Sequence, residues 1–216
     1  MVSDRTSPDE TRRSERSRTA ILEATQHLVS TIGYDKMTIE AIAARAGVGK
    51  QTIYRWWPSK AAVVLDMWAP EVHPRIEFDD TGDLAADMKA QLKAVIDLGL
   101  DPTFGPSFRA LVAESQYDEQ LAAQLVARIF GPRIEACKQR LRAAQRAGQL
   151  RADVDLDVVI DLLYGGFYHR YLLRVAPLDH SHADAIVDSA LRGLQADRSQ
   201  GPRRSRKARP TPSRRA

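Results

Sequence analysis

Residues 38–60 read TIEAIAARAGVGKQTIYRWWPSK, and the spacing within this stretch decides the fold. Ile39, Ile42, Ala43 and Ala46 recur at three and four residues, which gives the first half one apolar helical face. Gly47 and Gly49 bracket Val48 and permit a tight reversal. A second helix begins near Lys50 and must stop by Trp57, because Pro58 disfavours helical dihedrals in the residue before it. Two short helices about a glycine turn form a helix-turn-helix, the motif whose second helix enters the DNA major groove.

At about 100° per residue, Ile53 and Trp57 share a face with Val48 and suit packing onto the first helix of the motif. Gln51 and Arg55 point almost opposite, flanked by Thr52 and Tyr54, with Lys50 at the N-terminal end. These side chains suit base and phosphate contacts, since Arg matches guanine edges and Gln matches adenine edges. Across 38–60 the charges are Arg45, Lys50, Arg55 and Lys60 against Glu40, a net of +3. Thr38 reads as the N-cap of the first motif helix, where its hydroxyl or amide can also face a phosphate.

The run ARAGVGKQTIYRWWPSKAAVV resembles the signature of the TetR/AcrR family of bacterial transcription regulators. The similarity extends upstream through residues 18–32, Gly33-Tyr34 and Thr38-Ile39, and downstream into the helix after Ser59-Lys60. It implies an all-α fold of about nine helices: an N-terminal three-helix bundle with the helix-turn-helix, then a larger helical ligand-binding and dimerisation domain. The function it implies is ligand-responsive DNA binding, most often by a repressor that holds a palindromic operator as a homodimer and is released by a small molecule. The DNA contacts expected on this basis are Thr38, Lys50, Gln51, Thr52, Tyr54, Arg55, Lys60 and Arg18. The family more often carries Ser or Thr at Gly49, a small residue at Gln51 and Phe at Trp57. Gly caps the second helix less well than a hydroxyl by roughly a few tenths of a kcal/mol. Two alternatives stand beside repression: activation, and sequence-tolerant DNA binding through a basic tail.

The chain has 216 residues, 44% hydrophobic and 28% charged, an ordinary globular balance with room for a small domain and a larger one. One cysteine excludes an intrachain disulfide, and with no apolar leader at the N-terminus this points to the cytoplasm. No run approaches the ~18 apolar residues of a membrane span. The net charge of +4 is unevenly placed: residues 198–216 carry eight Arg or Lys and no acid, so residues 1–197 carry −4 (+4 less 8). The pI near 9.3 therefore belongs to the tail.

Residues 1–14 are polar and lack periodicity, and read as disordered. From Glu15 the apolar positions Ile21, Leu22, Leu28, Val29 and Ile32 mark a helix that Gly33 ends, so the reader spans 15–58. The body, 59–197, opens with Ser59 capping a fourth helix that carries Val63, Val64, Met67 and Trp68. Pro70 and Pro74 limit that helix, leaving 70–83 as loop or frayed end. Further helices follow over 83–100, 104–117 and 118–148, the last kinked or split at Gly131-Pro132. Residues 156–174 are apolar nearly all round and must be buried on more than one side. One side suits the chain's own core and the other a partner subunit. With a last helix at 182–196, the expected dimer interface holds Leu162, Gly165, Gly166, Ile186, Ala190 and Leu194, as the resemblance also implies. Residues 198–216 read as a disordered basic tail able to add salt-dependent attraction to phosphates.

The aromatics Trp68, Phe104, Phe108, Tyr117, Tyr164, Phe167 and Tyr168 come from segments expected to converge. With Leu111 and Glu114 they form a candidate small-molecule cavity, although any one of them serves equally well as core. Glu114 would orient a cationic or hydroxylated ligand. Gly47–Thr52 is not a phosphate loop, because Gln51 stands where Ser or Thr must follow the Lys and Ala44 where a Gly is required. Asp179, His180, His182 and Asp184 read as a solvated helix cap, and Cys137 as an inert core thiol. No Ser–His–Asp order, paired carboxylates or His-x-x-x-His spacing stands out. No catalytic residue, metal or cofactor is expected, and the chain does not read as an enzyme. The expected partners are double-stranded DNA, a small-molecule effector of unknown identity and a second copy of the chain, with no membrane.

Overall fold

Helix α1 (Pro8–Ile32) starts well before the expected Glu15 in the computed structural model, which describes residues 8–194. The sequence explains the early start. Pro8 suits a first helical turn, where its missing N–H has no partner to lose. The disorder expected for residues 1–7 and for 198–216, and the last residues of the body, 195–197, lie outside the described residues. Gly33 ends α1 with φ of 80°, its N–H bonded to the Val29 carbonyl at 3.2 Å.

Helix α2 (Ile39–Ala46) is capped by Thr38, whose Oγ1 accepts from the Ala41 N–H at 3.1 Å. Gly47 turns the chain at φ 66°, a left-handed conformation costly for a Cβ-bearing residue, and the chain re-enters a helix at α3 (Lys50–Tyr54). Ile21 of α1, Ile42 of α2 and Ile53 of α3 are fully buried and join in the hydrophobic core.

Helix α4 (Lys60–Arg75) is the axis of the molecule. Ser59 Oγ accepts from the Ala62 N–H at 3.2 Å, and every residue from Ala61 to Ala69 is buried. It passes through Pro70 and Pro74 rather than stopping there. An interior proline costs about 3 kcal/mol, but ending the helix earlier would release Val72, which is buried, from its wall.

The body continues through α5 (Leu84–Leu100), α6 (Phe104–Ser115), α7 (Glu119–Leu125), a π-helical turn (Val126–Phe130), α8 (Gly131–Arg146), α9 (Leu156–Leu173) and α10 (His180–Leu194). The expected break at Gly131-Pro132 is resolved by the π turn. Its extra residue lets the Gly131 N–H reach the Val126 carbonyl, so α7 and α8 run on without a loop. Among the described residues there are ten α-helices and no strand, or nine helices if α7 and α8 are taken as one rod. No described helix is long and apolar enough to cross a membrane.

The α5–α6 corner leaves no room for a side chain. A Cβ on Gly105 would lie 2.2 Å from the Gly99 carbonyl oxygen. Gly105→Ala is expected to cost about 1–3 kcal/mol through forced backbone movement, read as a lower urea midpoint. A variant as stable as the parent would contradict this corner.

Candidate nucleic-acid interface and adjoining cavity

Helix α3 sorts its residues sharply. Ile53 and Trp57 are buried, while Lys50, Gln51, Tyr54, Arg55 and Trp56 are exposed and Thr52 is half-buried. The Arg55 guanidinium stands 6.0 Å from the Trp56 ring centroid, and Lys50 Nζ donates to Glu40 at 3.0 Å on the open surface. Two half-buried cations expected at the DNA are also bonded within the protein. Lys60 Nζ donates to the Tyr34 carbonyl at 3.0 Å and sits 4.0 Å above its ring. Arg18 Nη2 donates to Asp66 at 2.5 Å, with its guanidinium 5.9 Å from the Trp57 ring. Both hold the reader onto α4, so their charge is partly spent before any phosphate arrives.

Asp66 is the hub of that joint. It is 8% exposed in the middle of α4 and accepts from Arg18, from the Trp57 indole N–H at 3.1 Å and from Arg128 in the π turn. Burial alone would raise its pKa, but Arg128 and Arg18 outweigh it and hold the carboxyl below the usual range. His73 Nε2 donates to the Arg128 carbonyl at 3.1 Å, which ties the far end of α4 to the same turn. A second joint forms where the Tyr34 hydroxyl donates to Glu114 Oε1 at 2.6 Å. Burial and the neighbouring Glu114 carboxylate push the Tyr34 phenol far above its ordinary pKa. Glu114 is thereby removed from the cavity, since it stands about 120° round α6 from Phe108.

Between α4, α5, α6, the π turn, α8 and α9 lies a cavity of about 460 Å³. Of the residues expected to line it, Phe104, Phe108, Tyr164, Phe167 and Tyr168 do so. Trp68 instead stands behind Phe104, edge-on at 5.1 Å, and Leu111 is wholly inside the core. Tyr117 lies past the end of α6 and is 97% exposed, because nothing packs over the turn that follows. Phe130, Tyr171, Gln91 and Arg133, outside the expected set, also line the cavity. The Tyr171 hydroxyl donates to the Gly105 carbonyl at 2.7 Å and the Tyr164 hydroxyl to Gln91, so both phenols are already bonded within the wall. The Cys137 thiol, also in the wall, is pushed up to about 12 by burial and stays protonated. Ile134, Asp161 and Gly165 are the exposed members of the lining, which places the mouth between α8 and α9.

The residues expected at a dimer interface divide. A Cβ on Gly166 would lie 2.9 Å from Ile186 Cδ1, so this glycine admits α10 of its own chain, and Ile186 is spent on that contact. Ala190 and Leu194 are half-buried against the chain's own core. Leu162 and Gly165 are exposed and continue as a stripe with Val158, His169 and Leu172 along α9.

A glycine-turned helix pair with an exposed polar and cationic second helix, docked through a half-buried ion pair on a helical body, defines a helix-turn-helix DNA-binding regulator. Residues 21–67 match the family model for bacterial regulatory proteins of the tetR family, and residues 78–190 match the tetracyclin repressor-like C-terminal domain. The uncharacterized HTH-type transcriptional regulator YdeS of Bacillus subtilis is 34% identical over 184 residues, 85% of this chain and 92% of the relative. The DNA-binding transcriptional repressor TetR of Mycobacteroides abscessus is 29% identical, covering 83% and 94%. Among solved structures, the TetR family transcription regulator SCO0332 is similar with a TM-score of 0.70 and 37% identity over 82% of this chain and 97% of that one. The resorcinol complex of RolR shares the fold with a TM-score of 0.64 at 16% identity, over 87% and 91%. The chain belongs to the TetR family of transcriptional regulators.

Proposed function

We propose that the chain is a cytoplasmic repressor that holds a palindromic operator as a homodimer and lets go when a small molecule fills the cavity. The observation that carries this reading is the continuity from cavity to reader. Ile129 and Phe130 line the cavity, their neighbour Arg128 grips Asp66, and Asp66 holds both Trp57 at the end of the reader and Arg18 on α1. A ligand that displaces the π turn tilts α4 and changes the spacing of the two recognition helices from the ~34 Å of successive major grooves. Release follows if the ligand favours the tilted state by about 1–3 kcal/mol. Support comes also from relatives: one is named a transcriptional repressor, and RolR holds resorcinol in a like fold.

Gln51 and Arg55 are the base readers in this proposal, with Lys50, Thr52, Tyr54 and Thr38 at the backbone. Lys50 must exchange Glu40 for a phosphate. Arg55→Ala and Gln51→Ala should each cost about 1–3 kcal/mol of operator affinity and relax specificity. The check is a gel shift on a fragment selected from genomic DNA by the protein itself. Unchanged binding by both variants would move the reading face elsewhere. The α9 stripe is the proposed dimer contact, so Leu162→Glu should give monomers by light scattering without loss of helix content. A dimer surviving that change rules the stripe out.

A further inference from the structure

We infer that the cavity takes an aromatic carboxylic acid, its rings among the aromatic side chains and its carboxylate on Arg133. The inference rests on the reading of the cavity as the effector site, and it names the ligand class.

Among the described residues, three other guanidinia drawn against the core each have a carboxylate, while half-buried Arg109 lies 5.1 Å from the Tyr171 ring centroid and half-buried Arg170 donates to the Pro177 carbonyl. Arg18 and Arg128 share Asp66, and Arg140 holds Asp87. Arg133 is different. It lines the cavity from the first turn of α8, with its guanidinium 4.6 Å from the Phe78 ring centroid. Its Nη2 is closed off from solvent and has no hydrogen-bond partner, and no described carboxylate lies within ion-pair distance of it. Burial works against its charge, yet a guanidinium stays protonated at any working pH. A buried donor left without an acceptor is costly, and a planar carboxylate supplies two acceptor oxygens in the geometry a guanidinium matches.

The rest of the wall selects the remainder of the ligand. Phe104 stacks on Phe108 at 5.2 Å and Phe167 on Tyr171 at 5.2 Å, with Phe130 and Tyr168 edge-on to one another at 6.3 Å. Such rings favour offset and edge contacts with a further aromatic system. With a single cation in an apolar wall, a monoanion is neutralised where a phosphate dianion would keep an unpaired buried charge. Asp161 opposes an anion only from the exposed mouth, where solvent and salt screen it.

Calorimetric titration of the full chain with 2-naphthoate, 2-naphthamide and 2-naphthylmethylamine separates the possibilities. The acid should bind at least about tenfold more tightly than the amide, the worth of a hydrogen bond to a charged group. Arg133→Met should erase that preference, and Arg133→Lys should keep part of it. Thermal unfolding checks that the variants fold, and the acid-to-amide comparison on the unaltered chain needs no variant. Equal binding of acid and amide, a preference that survives Arg133→Met, tightest binding of the amine, or no binding of all three overturns the inference. Release of the selected operator fragment is measured separately. An acid that binds through Arg133 without releasing DNA leaves the ligand class standing and removes the effector reading. Release by the amide or the amine alone does the reverse.

Discussion

Replacing Asp87 by Ala is expected to cost about 3–5 kcal/mol of folding stability, the loss typical of breaking a buried ion pair from one side. Asp87 on α5 accepts from Arg140 Nε at 2.8 Å and Nη2 at 2.5 Å, and the two side chains are 1% and 3% exposed. Without the carboxylate the guanidinium stays in the interior with Asp80, at 3.4 Å and largely in water, as its remaining partner. Arg140→Met should cost less, because Asp87 keeps the Thr81 hydroxyl at 2.6 Å and the Thr81 N–H. The pair Asp87→Leu and Arg140→Met together should recover most of the loss, since apolar replacements of a whole buried pair are often neutral. Urea unfolding with an unchanged slope is the measure, and a double variant that falls by the sum of the singles would show the two residues uncoupled. Burial alone would raise the Asp87 pKa, but Thr81 and Arg140 outweigh it and hold the carboxyl below its ordinary value. A depressed carboxylate stabilises the fold above its unfolded pKa of about 3.9 and loses that contribution as pH falls through the lower folded value. Acid unfolding of the parent should therefore set in below about pH 4, and Asp87→Asn should lose this part of the pH dependence.

That ion pair was invisible in the sequence, and the reason is physical. Arg140 lies in a helix rich in Arg, Lys, Gln and Glu, where a single inward-facing guanidinium looks like any solvated one. Arg133 escaped for the same reason. Asp66 did leave a signal. One acid within AAVVLDMWA sits in a helix apolar on every side, and a charge so placed requires cations from elsewhere. Which cations was not legible, because Arg18 lies 48 residues before it and Arg128 lies 62 after. The helix-turn-helix was legible because its signals are local: the Thr38 cap, the left-handed Gly47 and the stop at Pro58. The cavity was half legible. Phe104, Phe108, Tyr164, Phe167 and Tyr168 announce themselves by type, but turning toward a common space depends on helix rotation, which took Glu114 to Tyr34 and left Tyr117 in solvent. Gly165 and Gly166 adjoin in sequence yet face different ways, one to the surface and one to Ile186.

Arg128→Met is expected to leave operator binding near that of the parent while removing most of the ligand's effect on it. Arg128 is the π turn's grip on α4, and Ile129 and Phe130 beside it touch the cavity. Without that grip Asp66 still holds Arg18 and Trp57, so the reader remains docked on α4. The guanidinium keeps about a third of its surface in water, so its loss should cost on the order of 1 kcal/mol of stability. A coupling of about 1–3 kcal/mol corresponds to a 5- to 150-fold change in operator affinity with ligand, and in the variant that ratio should fall toward one. Asp66→Asn makes the complementary case. Two cations would then face a neutral amide, the reader and the π turn would loosen together, and both operator affinity and stability should drop. The carboxyl of Asp66 is held below its ordinary range, so the grip persists above about pH 4 and weakens only as pH falls through the folded value. Operator affinity measured with and without ligand, for the parent, Arg128→Met and Asp66→Asn, decides the matter. A full ligand response in Arg128→Met would show that the signal reaches α4 by another route, of which the Tyr34–Glu114 bond is the next to test.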